Sequence, residues 1–152
     1  CEDADLIFSA DIAKGTDILA DRGLLSQAVS NLVENAIKYT PKGGRIHLDL
    51  HKTRNGRVSI SVTDDGPGIP AVDRERVKER FVRLDKSRTL PGSGLGMALV
   101  DAVADLHRAE FILEDGFKDR GTTGLKASLI LPRRRPGLGQ EGGKSKPAEP
   151  AV

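Results

Sequence analysis

Apolar side chains recur along residues 22–39 at intervals of three and four, at Leu25, Ala28, Val29, Leu32, Val33, Ala36 and Ile37. That spacing lines one face of a helix. Asp21 offers its N-cap, and Pro41 with Gly43-Gly44 ends it. The period then shortens to two. Ile46, Leu48 and Leu50 alternate with polar residues, as do Val58, Ile60 and Val62, and Asn55-Gly56 lies between the runs. Both turn residues tolerate a positive φ, so the pattern predicts a hairpin. Upstream, Leu6-Ile7-Phe8 and Asp17-Ile18-Leu19-Ala20 read as short strands around a turn at Gly15. Downstream, residues 71–82 read as a short charged helix with Val72, Val77 and Phe81 inward, and residues 84–94 as a loop. A second long helix is predicted from near Leu95, with Leu95, Leu99, Val103 and Leu106 on one face. Strands at 111–113 and 125–131 follow, the last ended by Pro132. Helices interleaved with an antiparallel hairpin predict a two-layer α/β sandwich.

Composition narrows the picture. At 152 residues the length fits one domain, and aromatics are only 3%, so the core is assembled from Leu, Ile, Val and Ala. The single cysteine, Cys1, excludes an internal disulfide and a cysteine-built metal site, which fits a reducing compartment. No apolar run approaches the ~20 residues of a membrane span. The chain opens on Cys1 and an acidic stretch, and is read as a piece of a longer protein. Residues 1–132 are expected to form the folded domain and residues 133–152 a disordered basic tail rich in Pro and Gly, with too few apolar residues to offset chain entropy. That tail carries a net +3 while the whole is +2, leaving about −1 for the folded body. Nucleic-acid binders carry their positive charge on the fold, so no nucleic-acid partner is expected.

Three motifs carry chemistry. On the first helix Asn31, Asn35 and Lys38 share a face. Asn is a poor mid-helix residue, so the row is either a solvated face or the wall of a groove. Asp64-Asp65-Gly66-Pro67-Gly68-Ile69 follows the hairpin's second strand. A carboxylate there can accept from the exocyclic amine of adenine, whereas guanine presents a carbonyl at that place. Gly66 and Gly68 permit a tight turn and a close approach. Gly92-Ser93-Gly94-Leu95-Gly96-Met97 opens the next helix, where backbone N–H groups can hold phosphate oxygens. A dinucleotide fingerprint would need a preceding strand and a third glycine at Met97, and has neither. Together the motifs suggest a nucleotide pocket.

Their order and spacing resemble the ATP-binding domain of bacterial sensor histidine kinases, in the superfamily shared with gyrase, heat-shock chaperone and mismatch-repair ATPases. The resemblance runs from about residue 5 to residue 132. It implies a Bergerat-type fold, a mixed and mainly antiparallel sheet covered by helices on one face, that binds Mg²⁺ and ATP. In this resemblance Asn35 supplies an amide oxygen to Mg²⁺, which is a hard ion content with one protein ligand beside phosphates. Lys38 approaches the phosphates. Tyr39 either lies beside the nucleotide or caps the core. Asp64, Gly66, Gly68 and Ile69 form the adenine end; Gly92, Gly94, Leu95 and Gly96 form the phosphate end. Arg80 to Arg88 resembles the phenylalanine box and the start of the ATP lid, where Arg83, Lys86 and Arg88 either compensate triphosphate charge or are simply solvated. Lys78 stands where the family commonly has Phe, and Met97 where it usually has Leu. The final glycine box falls either on Gly124-Leu125 or on Gly121-Thr122-Thr123. His107 is read as a structural residue at a helix end.

The hydrolysing branch of the superfamily has a water-activating Glu where this chain has Asn31, which takes no proton at neutral pH. Asn31 is thus a weak catalytic candidate, and phosphoryl transfer to a protein is favoured over hydrolysis. The acceptor is expected outside this chain, since the family's acceptor His precedes an acidic residue and here the histidines precede Leu48, Lys52 and Arg108. The expected partners are the kinase's own dimerisation and phosphoacceptor domain and a response regulator, in a cytoplasmic setting reached by a membrane only through the parent protein. A stand-alone serine kinase of the anti-sigma-factor type and a non-catalytic nucleotide-binding scaffold are the alternatives.

Overall fold

The computed structural model describes residues 5–79, 96–118 and 121–133. Strand β1 (Ile7–Ile12) is followed by helix α1 (Arg22–Tyr39), the hairpin β2 (Arg45–Lys52) and β3 (Val58–Asp64), helix α2 (Gly96–Leu106), and strands β4 (Glu110–Glu114) and β5 (Leu125–Leu131). The strands form one five-stranded sheet in the order β1-β2-β3-β5-β4. β1 runs parallel to β2; the other neighbours are antiparallel.

α1 begins where its capping chemistry requires. The Asp21 carboxylate accepts from the Leu24 N–H at 2.9 Å, and at the other end the Thr40 N–H donates to Ala36 O at 2.9 Å. Ala28, Leu32 and Ala36, spaced by four, are buried. They meet Val100, Val103 and Ala104 of α2 and the inward residues Ile46, Val62, Phe111, Leu113, Ala127 and Leu129 of the sheet in one core. Both helices therefore lie on one face, giving the two-layer sandwich. Replacing the cap by Asp21→Ala is expected to cost about 1 kcal/mol, read as a lower midpoint in urea unfolding.

His107 closes the seam between the helices. Its Nε2 accepts from the Asp21 N–H at 2.9 Å while Nδ1 lies 2.8 Å from Val103 O, a pairing that requires the neutral ring with its proton on Nδ1. The next residue, Arg108, takes φ +55, the left-handed end that usually favours glycine.

Three predicted elements differ. Residues 17–20 form no strand, and the edge position next to β2 goes to Ile7–Ile12. Residues 71–79 form two short 3-10 turns, Ala71–Asp73 and Arg76–Lys78, in place of a helix. Pro70 precedes this segment, and only Val77 finds the core while Val72 is 90% exposed. On α2 the buried face is Val100, Val103 and Ala104, and Leu106 is 72% exposed. Phe81 lies outside the described residues, as do residues 134–152 of the tail. Among the described residues no helix is long and apolar enough to cross a membrane.

Candidate functional site

Strand β3 is buried along its whole length. It ends at Asp64, between Ile46 of β2 and Leu125 of β5. This carboxylate is 4% exposed. Its Oδ1 accepts from the Gly66 N–H at 2.9 Å and from the Leu125 N–H at 3.1 Å. Burial pushes the Asp64 carboxyl above the ordinary range, since taking a charge out of water favours the neutral form. The two N–H donors oppose that rise and the adjacent Asp65 charge adds to it.

Successive residues on a strand point to opposite sides, so the neighbouring carboxylate does different work. Asp65 Oδ1 accepts from the Arg45 N–H at 2.9 Å, and its Oδ2 lies 3.6 Å from Arg45 Nε. The side chain is 1% exposed and abuts Gly44, where a Cβ would fall 2.6 Å from Asp65 Oδ1 and 2.3 Å from Thr40 Cγ2. Asp65 thus ties the end of β3 to the start of β2. The sequence reading gave it no role, although two successive acids ending a buried strand signal such a division.

The segment before β5 folds back over this strand end. The Phe117 N–H donates to Asp64 O at 3.0 Å and the Gly124 N–H to Gly66 O at 3.0 Å. The Thr122 hydroxyl donates to Asp65 O at 3.1 Å. Gly124 has φ +63, and a Cβ there would sit 2.2 Å from Asp64 O; at Gly121 a Cβ would meet nothing within 4 Å. The glycine that close approach requires is therefore Gly124, while Thr122 contributes a hydroxyl anchor.

The C-terminal end of α1 reaches the same place. A Cβ at Gly66 would lie 3.0 Å from the Tyr39 carbonyl oxygen, so the helix end and the Asp-Gly turn are in contact. Asn31, Asn35, Lys38 and Tyr39 are half-buried and Glu34 is exposed. Lys38 Nζ stands 5.3 Å from the Tyr39 ring centroid. Among the described residues, no hydrogen bond is made by the Asn31 or Asn35 side chain. Gly68 has φ +76, and a Cβ there would meet Thr123 Oγ1 at 2.4 Å and Gly124 O at 2.5 Å. Ile69 packs against the core. The turn glycines thus serve contacts within the protein.

At the other end of the predicted site, Gly96 is the first residue of α2 and is exposed, and Met97 packs on the core. Arg83, Lys86, Arg88, Gly92, Gly94 and Leu95 lie outside the described residues. Lys78 is well packed: Nζ donates to Phe111 O at 2.6 Å and stands 5.0 Å from that ring's centroid.

The family described as histidine kinase-, DNA gyrase B- and HSP90-like ATPase matches residues 20–135. Over 131 residues the chain is 37% identical to the signal transduction histidine-protein kinase/phosphatase MprB of Mycolicibacterium smegmatis, covering 86% of this chain and 26% of that protein. The chain thus spans about a quarter of that curated relative. Among solved structures, a mycobacterial sensor histidine kinase MprB superposes with a TM-score of 0.74 at 32% identity, over 87% of this chain and 85% of that one. Full-length ShkA in complex with AMPPNP gives a TM-score of 0.73 at 27% identity, over 86% of this chain and 26% of that one.

Proposed function

Because this chain belongs to the histidine kinase-, DNA gyrase B- and HSP90-like ATPase family, we propose that it binds Mg²⁺·ATP and passes the γ-phosphoryl group to a histidine on a separate dimerisation domain in two-component signalling. The observation that carries the reading is the junction at Gly66. There a buried carboxylate with a fixed Oδ1 meets the end of a helix bearing two amides and a lysine.

Both hydrogen bonds that described residues give the Asp64 carboxylate go to Oδ1, which leaves Oδ2 to accept from the adenine amine. A buried acceptor discriminates strongly, because an analogue lacking the donor leaves it unpaired. Asn35 would present its amide oxygen to Mg²⁺, and the half-buried amides without a described protein partner suit an oxygen-seeking ion. Bound there, the ion would neutralise charge developing on the phosphates. Lys38 and the start of α2 at Gly96 are the cationic and N–H groups proposed for the triphosphate, with Arg83, Arg88, Gly92, Gly94 and Leu95 proposed alongside on sequence grounds. Asn31 offers no base to activate water. Transfer breaks the bond from the γ-phosphorus to the ADP oxygen and forms one to an imidazole nitrogen of the acceptor. A complex of full-length ShkA with the ATP analogue AMPPNP is a relative's precedent for the nucleotide. A response regulator would then take the phosphoryl group, in the cytoplasm.

Two measurements test this. Asn35→Ala is expected to weaken ATP binding about 10-fold in Mg²⁺ and to leave it unchanged in EDTA, since one metal-linked contact of about 1.4 kcal/mol is removed. An equal loss in both conditions would overturn the metal role. Incubating the chain with [γ-³²P]ATP and a dimerisation domain joined upstream should give acid-labile phosphohistidine. Nucleotide binding without transfer to any matched acceptor would favour the scaffold alternative.

A further inference from the structure

The helix-free face of the sheet holds a second group of ligating side chains, on the opposite side of the sheet from the Asp64 carboxylate. Alternation along β2 sends Ile46, Leu48 and Leu50 toward the core, and therefore His47, Asp49 and His51 to the opposite face. The parallel register of β1 sets Ser9 beside His47 and Asp11 beside Asp49. Two carboxylates directly opposite on neighbouring strands repel. Here one ligand atom from each of Asp11, His47 and Asp49 lies within 4.8 Å of the others, with His47 Nε2 3.3 Å from Asp11 Oδ2. A cation between them would relieve that repulsion.

The surrounding contacts orient the set. Ser9 Oγ lies 2.7 Å from His47 Nδ1, so the ring is turned with Nε2 toward the carboxylates. Metal-bound imidazoles are held in this way, by a polar group on the nitrogen that does not bind the ion. His51 Nδ1 lies 2.5 Å from Asp49 Oδ2 and holds that carboxylate in turn. With ligand bonds of about 2.0–2.2 Å, donors around a tetrahedral ion stand ~3–4 Å apart, so small side-chain rotations close the set. His47 and Asp49 are half-buried and Asp11 is exposed, which leaves the outer side open to water as a further ligand.

We propose that Asp11, His47 and Asp49 form a binding site for a divalent first-row transition-metal ion, with Ser9 and His51 as positioning residues. One imidazole with two carboxylates suits zinc and its neighbours, whereas Mg²⁺ and Ca²⁺ prefer all-oxygen sets. The site clamps β1, an edge strand exposed along its whole length, to β2. Its occupancy stabilises the folded state by mass action.

Zinc titration of the full chain by calorimetry tests the site, without nucleotide and in a Cys1→Ser background that removes the thiol. One zinc per chain is expected, and His47→Gln and Asp49→Asn should each weaken it at least ~10-fold. Zinc should also slow hydrogen exchange of the β1 amides. If His47→Gln fails to fold, Asp11→Asn decides the question, because that side chain is 81% exposed. Absence of saturable binding below on the order of 1 mM, unchanged affinity in the variants, unprotected β1 amides, or equal competition by Mg²⁺ would each overturn the proposal.

Discussion

Asp64→Asn is expected to weaken ATP binding ~10- to 150-fold, the equivalent of about 1.5–3 kcal/mol for a hydrogen bond to a charged group. The amide keeps the oxygen that receives the Gly66 and Leu125 N–H groups. Those two donors also decide its orientation, so its NH₂ would face the purine where the carboxylate's second oxygen stood. An NH₂ opposite the adenine amine sets donor against donor. Opposite the guanine carbonyl it makes a bond, so preference for ATP over GTP should shrink as well. Stability moves the other way. The folded-state carboxyl is raised above its ordinary value, chiefly by burial. Its contribution to stability is present below the unfolded pKa and is lost as pH rises through the folded one. At neutral pH the ionised group therefore costs stability, and the neutral amide should melt at the same temperature as the parent or higher. For the same reason the parent's affinity for ATP should fall in mild acid, beginning at a higher pH than an ordinary aspartate would set. Equal ATP affinity for parent and variant by titration calorimetry would remove Asp64 from the adenine contact.

What the chain disclosed in advance follows the reach of each signal. Helix α1 and the β2–β3 hairpin were legible because their periodicity, cap and turn are local and their apolar faces pack on the core. Strand β1 was only partly legible. It lies exposed at the sheet edge, so no buried face disciplines its pattern, and the equally apolar Ile18-Leu19 segment competed for the role. Residues 71–79 mimic a helix in charge and spacing, yet two short turns suffice once Val77 is placed and Lys78 is anchored on Phe111 O. At the junction, the motifs had named Asp64, Gly66 and the helix that ends at Tyr39. Their division of labour needed three dimensions. Two adjacent aspartates look alike in sequence, but one ends buried between Gly66 and Leu125 and the other beneath Arg45. The two candidate final glycines could not be separated by spacing, because what separates them is the distance to a strand distant in sequence.

That distance makes Gly124→Ala the substitution expected to damage the fold most, by about 2–5 kcal/mol. Two costs combine. A positive φ in an L residue costs roughly 1–2 kcal/mol, and Gly124 sits at +63. An added Cβ would also lie 2.2 Å from Asp64 O, 2.7 Å from Phe117 O and 2.8 Å from Phe117 N. These neighbours are backbone atoms of a buried strand end and the segment pinned to it, so they cannot yield as a flexible side chain would, and forced packing of this kind costs about 1–3 kcal/mol. The total is a large share of the 5–15 kcal/mol that holds a domain together. Gly121→Ala is the matched comparison: it carries φ +78 but meets nothing within 4 Å, so it should lose only the conformational part. Urea unfolding of both variants separates the two costs. If Gly124→Ala unfolded no more easily than Gly121→Ala, the tight seam between the β5 entry and the end of β3 would not exist as described, and the fixed orientation of the Asp64 carboxylate would lose its support.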